Sequence, residues 1–233
     1  MYNTADTIIK LRSRINKGHS QDYDNIPDWF AVELINKAQD EIVRNLLSGR
    51  NVTQEGDEET TLRVDDLQPI LVPPHRMEVI DKGIYVESDK FPSNYMYHKR
   101  VTPIASNSTC LGKRMRSKLV EESNIDVFMF DTNKRPSFSW RETFHTLGNN
   151  KIKVYKSEEF IVDYIELIYY RIPKRFDIGG YIHTDGRSSV DSPLEFKVDV
   201  AELIIDTAAN IASADLELVN SYQTTKQRIE INK

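Results

Sequence analysis

A single cysteine, Cys110, occurs in the 233 residues. That excludes an intrachain disulfide and any cysteine-rich zinc site, and it fits a reducing compartment. No segment approaches 18 uninterrupted apolar residues, so no membrane-spanning helix is expected. The opening MYNTADTIIKLRSR lacks the apolar run of a signal peptide. There is no P-loop, dinucleotide-binding glycine pattern, HExxH or GxSxG. Gly179-Gly180 lacks the helix that would complete a phosphate loop and reads as a plain connection. The histidines His19, His75, His98, His145 and His183 are widely spaced, with no pair at i and i+4. Basic charge is not in excess either: the net charge of -5 argues against a wholly basic nucleic-acid-binding domain, although not against a local patch. No cofactor is implied.

What is present is ordinary for a globular chain, 39% hydrophobic and 29% charged, and long enough for a good core. The stretch from Lys151 to Tyr222 organises the expected fold. KIKVYKSEEFIVDYIELIYYRIPK reads as two strands. Phe160, Val162, Tyr164, Ile168, Tyr170 and Ile172 share one face of the longer strand, with Ile161, Ile165, Leu167 and Tyr169 on the other. VDVAELIIDTAANIASADLELVNSY reads as one long helix with a stripe of Ala201, Ile204, Ile205, Ala208, Ile211, Ala212 and Val219. The simplest burial lays this helix across the sheet.

Earlier in the chain, residues 3–17 form a short helix ended by Gly18, and HSQDYDN is a linker. A second helix runs over 27–48, with Pro27 in its first turn, Asp28 favourable there and Gly49 after its end. RNVTQEGDEET is an exposed loop. LRVDDLQPILVPP is a strand or turn pair closed by Pro73 and Pro74, and MEVIDKGIYVESDKFP is a hairpin turning at Gly83. Tyr95 to Val101 is extended, and so is FMFDTNKRPSFSW, apart from a turn around Asp131 to Pro136. The last helix starts at the Ser192-Pro193-Leu194-Glu195 capping pattern or at the Asp199/Glu202 pair one turn later. The expected class is α+β: N-terminal helices and a long C-terminal helix packed with a strand-rich, mostly antiparallel middle region, and an extended C-terminal arm. The expected divisions are a helix and linker over 1–25, a core over 26–220 (helix 27–48, strands 61–173, helix 198–220) and the arm over 221–233.

Three groups of residues carry candidate chemistry. Asp177, Asp185 and Asp191 sit in one loop and suit a divalent ion or acid–base work, yet such residues equally cap turns. A metal-dependent nuclease or hydrolase is the enzymatic alternative they support. Lys113, Arg114, Arg116 and Lys118 form the one concentrated basic run, a candidate contact patch for phosphate backbones or an acidic protein surface such as Asp57, Glu58 and Glu59. The run lacks interleaved aromatics, and a nucleic-acid-binding scaffold is the second alternative. Cys110 reads as packed rather than reactive.

FAVELINKAQDEIVRNLL, EEFIVDYIELIYYRIPKRFDI and VAELIIDTAANIASADLELVNSYQ give the chain an overall likeness to a known family. The second block, a strand ending YYRIPKRFDI, leads through an acidic, serine-rich loop and a PLEF turn into AELIIDTAA of the third. The chain resembles the head-to-tail connector proteins of tailed bacteriophages, most closely the ring or portal-adaptor proteins of crAss-like phages. The resemblance implies a non-enzymatic virion protein, made in the bacterial host cytoplasm. It would form a ring of roughly twelve copies below the portal, joined to the portal protein and to adjacent tail or ring proteins, with genome DNA passing through and no membrane contact. It also implies interface roles for the Ile204, Ile211 and Val219 helix face and for the tail residues Tyr222, Arg228, Ile229 and Ile231.

Overall fold

The computed structural model describes residues 2–16, 26–48, 65–183 and 186–215. The fold is α+β, and the chain forms two compact units. One comprises Met1–Pro69 with Pro173–Lys233, and the other is Ile70–Ile172. The three long helices belong to the first unit and the two sheets to the second.

In the first unit, α1 (Thr4–Asn16), α2 (Asp28–Ser48) and α4 (Val198–Asp215) pack together. The short helix α1 starts at Asn3, whose carbonyl accepts the Thr7 N–H at 3.1 Å and whose side-chain oxygen accepts the Ala5 N–H at 2.8 Å. Pro27 lies one position before α2 rather than inside it, its carbonyl accepting the Ala31 N–H. The expected stripe of α2 is buried through Ala31, Leu34, Ile35, Ala38 and Ile42. Asn36 holds the chain after the sheets: its amide nitrogen donates to the Phe176 carbonyl and its oxygen accepts the Phe176 N–H, both at 2.9 Å. The fully buried Gln39 donates to the Lys174 carbonyl at 3.0 Å.

The C-terminal helix corrects two expectations. Its stripe of Ala201, Ile204, Ile205, Ala208 and Ala212 is buried, and within the first unit α4 packs with α1 and α2. At 18 residues it is shorter than the 21-residue α2. Neither capping pattern is used as one. Ser192 pairs with Asp177 in a two-residue bridge, Glu195 accepts the Lys174 N–H at 2.9 Å, and the first helical bond runs from Ala201 N–H to Lys197 carbonyl.

The second unit holds two sheets whose inner faces meet in one core. The first has the order β1 (Leu71–Met77), β9 (Ile161–Arg171), β4 (Tyr95–Ser106), β5 (Lys113–Arg114), all antiparallel. The second has the order β2 (Val79–Asp81), β3 (Tyr85–Ser88), β8 (Lys151–Tyr155), β7 (Glu142–Gly148), β6 (Arg116–Leu119). Only β6 and β7 among these pairs run parallel. The two strands expected from Lys151 to Arg171 therefore exist but belong to different sheets. Met115 alone separates β5 from β6, and its side chain is buried in the shared core. Pro73 and Pro74 do not close β1. They sit exposed at an irregularity between Val72 and His75 on an edge strand, where a missing N–H is tolerated.

β9 departs most from simple alternation. Its core residues are Val162 and then Ile165, Leu167 and Tyr169, so the buried parity changes along the strand. The pairing with β4 slips between Ile104 and Ala105, opposite Tyr164 and Val162. An extra residue there, Asp163, turns the strand by one position. Residues 122–130 are also not extended: a 3-10 turn, Glu122–Asn124, leads into α3 (Ile125–Phe130).

Because Ile204 is 0% exposed, Ile204→Ala should lower stability by about 2–4 kcal/mol through transfer and cavity terms. Urea denaturation followed by helical circular dichroism measures this. An unchanged midpoint would mean that the residue is not enclosed as described.

Candidate functional site

The most unusual surface of the second unit is built around α3. Five of its six residues are apolar, and none is buried. Phe128 fastens it to the outer face of the second sheet, at the head of a ring series that continues through Phe144 (5.4 Å), Tyr155 (4.7 Å) and Tyr85 (5.7 Å). Lys118 and Lys134 flank the Phe128 ring at 5.5 and 5.7 Å. Asp131 closes the end: its N–H reaches the Val127 carbonyl, and its carboxylate accepts the Asn133 N–H and pairs with Lys134. The anchoring leaves Phe130 85%, Val127 57% and Leu119, from the neighbouring β6, 45% exposed. A turn of the same unit presents Trp140 at 80% exposure. Arg141 beside it has φ 59°, and its carbonyl accepts the Arg116 N–H at 2.7 Å. Exposed apolar side chains on an anchored helix, Phe130 and Val127, with Leu119 exposed on β6, are suited to protein contact. Sequence reading missed α3 because FMF satisfies a strand pattern as well as a helical one.

The basic run is divided by strand alternation and by the passage between sheets. Lys113 donates to the Phe138 carbonyl at 2.8 Å and lies over its ring. Arg114 pairs with Glu166 on the first sheet. Arg116 and Lys118 stand exposed on β6. They do not form one patch.

The loop carboxylates act as turn fasteners. Asp177 accepts from Tyr181 OH (2.7 Å), His183 Nε2 (2.9 Å), Ile178 N–H (2.9 Å) and Val190 N–H (3.2 Å). Partial burial pushes its carboxyl up, yet the Tyr181 and His183 bonds prevail and hold it below the usual range. Asp191 accepts from Thr4 OH and the Gly179 N–H, both at 3.0 Å. Asp185 lies outside the described residues. Among the described residues, no group of three or more His, Cys, Asp or Glu side chains is placed to hold a metal ion, and no helix is long and apolar enough to cross a membrane. Cys110 is exposed rather than packed.

Of the interface residues that the resemblance implied, Ile204 is fully enclosed and Ile211 is half-buried. Val219, Tyr222, Arg228, Ile229 and Ile231 lie outside the described residues, as do the linker at 19–25, the loop at 50–60 and the arm at 221–233. No protein-family model matches the chain, and no curated protein matches it either.

Each unit holds a strongly shifted titratable group, Glu202 in the first and His145 in the second. In the first unit, Glu202 accepts from Tyr2 OH, Lys10 and Arg14, and Arg14 also reaches the buried Asp206 at 3.0 Å. Burial raises the Glu202 carboxyl, but bonds from Lys10, Tyr2 and Arg14 outweigh it and hold the group at about 2, against an ordinary 4.5. In the second unit, His145 is 2% exposed and its Nδ1 meets Ser117 Oγ at 2.7 Å. Its Nε2 has no hydrogen-bond partner among the described residues. Burial, and then the neighbouring His98, depress it to about 3.

Both depressed values stabilise the fold above the ordinary value and cease to do so as pH falls towards the folded one. The first unit should therefore weaken between about pH 4.5 and 2, with Glu202→Gln flattening that decline. The second should weaken earlier, from about pH 6.5 downward, by up to about 1.4 kcal/mol per pH unit for His145. Urea midpoints across pH, with His145→Gln as the comparison, check this. A flat profile from pH 7 to 5 in the wild type would overturn the buried-histidine account.

Proposed function

We propose that this chain is a structural subunit of a ring in the head-to-tail connector of a tailed bacteriophage, sealing the channel below the portal and joining portal to tail. The observation that supports it most directly is the unburied apolar surface of α3 with Phe130, Val127 and Leu119. A chain of net charge -5 that leaves such side chains outside has them to bury against protein. A contact between that surface and a different surface of the next copy is heterologous, and closed rotation gives it a natural end. Each contact is small, but it repeats around the ring, so weak interfaces sum to a seal. Function on this reading is mechanical, with the portal protein and neighbouring rings as partners and the genome as a passing cargo. The net negative charge suits a channel that lets DNA slide. The resemblance carried by the α2, β9 and α4 blocks supplies the family, and the tail over 221–233 supplies a candidate arm for the joint.

The test is the mass of the full-length protein, alone and with candidate portal protein, compared with a chain lacking residues 222–233. A closed assembly of about twelve copies is expected. Phe130→Asp together with Val127→Asp should abolish it while leaving circular dichroism and thermal midpoint unchanged, because both side chains are already exposed. A monomer under every condition, with no binding to portal protein, would sink the reading.

A further inference from the structure

The outer face of the first sheet gathers cations that are far apart in the chain. Cross-strand partners share a face, and the register places Arg76 opposite Glu166, Glu166 opposite Thr102, Arg100 opposite Ile168 and Arg114 opposite Ile104. Side-chain contacts agree with this. Arg76 lies over the Tyr164 ring at 4.2 Å, and Arg114 pairs with Glu166. Lys99, the extra residue where β4 slips between His98 and Arg100, reaches the same face over the Tyr170 ring at 5.8 Å. Tyr97, opposite Tyr170, leaves half its surface exposed.

Four cations, Arg76, Lys99, Arg100 and Arg114, thus stand against two carboxylates, Glu166 on the face and Glu78 at its rim, an excess of two. Asp163 lies at the far end, where it accepts from Ser106. The pairings leave the guanidiniums available. Arg76 and Glu78 are both more than 60% exposed, Arg114 is 64% exposed, and exposed ion pairs are worth little. Arginine offers a planar fork of donors that matches phosphate. The interleaved aromatics that the linear basic run lacked are supplied here across strands, by Tyr97 and Tyr164.

We propose that this face binds the backbone of single-stranded nucleic acid, with Arg76, Arg100 and Arg114 on phosphates and the Tyr97 ring stacked on an unpaired base. A ring together with cations favours a nucleic acid over an acidic protein segment, which has no base to stack, and an unpaired strand over a duplex, whose bases are already stacked. The proposal does not rest on the ring reading.

Fluorescence anisotropy with a labelled oligonucleotide of about 20 nucleotides tests it on the full chain. Binding is expected at low salt, with a slope of log affinity on log salt of about -2 to -3 for three or four neutralised phosphates. Arg100→Ala should weaken binding and reduce the slope by about 0.7. Tyr97→Ala should lose about tenfold with the slope unchanged, and Tyr97→Phe should retain affinity. Lys90→Ala, off this face, is the control. No binding at low salt, Arg100→Ala and Arg76→Gln variants that are folded yet bind like wild type, or tighter binding of the duplex or of a labelled acidic peptide would each overturn it. The Phe130→Asp, Val127→Asp protein separates the two readings, since loss of assembly should leave oligonucleotide binding by the single chain intact.

Discussion

The second unit depends on β9 having more apolar residues than one face can use. Apolar and aromatic side chains alternate on both sides of Phe160 to Tyr170, and a strict strand would divide them evenly. The chain resolves this with an extra residue at Asp163, so that Phe160 and Val162 enter the core before the slip and Ile165, Leu167 and Tyr169 after it. A slip of one residue exchanges faces, which makes the bulge a condition of the core. β1 and β4 both take their register from β9, and the inner faces of the two sheets then close over Ile152, Val154 and Val86.

In the first unit the corresponding constraint is electrostatic. Glu202 gathers Tyr2, Lys10 and Arg14 onto one turn of α4, and Arg14 extends to Asp206 one turn further. Arg12 performs a similar service at the start of α2, donating to the Ile26 carbonyl at 2.7 Å and pairing with Asp28 at 2.8 Å. An isolated helix as short as α1 is marginal in water, so these pairs, with the buried Ile8, Leu11 and Ile15, are what hold it. Polar groups here do more than decorate an apolar stripe, since removing one partner of a mostly buried pair leaves the other uncompensated.

Much of the element content was legible in the sequence, because periodicity and turn residues are local. α1, α2, the hairpin at Gly83, β8, β9 and the start of α4 all follow from such patterns. The failures are of another kind. Partner choice is non-local: nothing in the α4 stripe says whether it faces helices or a sheet, and nothing in KIKVYKSEEFIVDYIEL says that its two strands join different sheets. The capping pattern at Ser192 was overridden by a bridge to Asp177, and FMF was ambiguous in period. Asp177 read from sequence as a candidate for a divalent ion or acid–base work and equally as a turn cap, and its four donors make it a fastener of its own loop.

The same distinction applies to function. The linear run Lys113 to Lys118 looks like a patch only in one dimension. Strand alternation sends Lys113 to Phe138 and Arg114 to Glu166, and the crossing at Met115 puts Arg116 and Lys118 on another sheet. Charge is concentrated instead on one face of the β1-β9-β4-β5 sheet, with Arg76, Arg100 and Arg114 drawn from positions well apart in the chain. Their common face is a consequence of the register that the Asp163 and Lys99 irregularities set. A change that removed either extra residue would move core side chains outward and cations inward together, so the packing of this unit and the charge it displays cannot be altered independently.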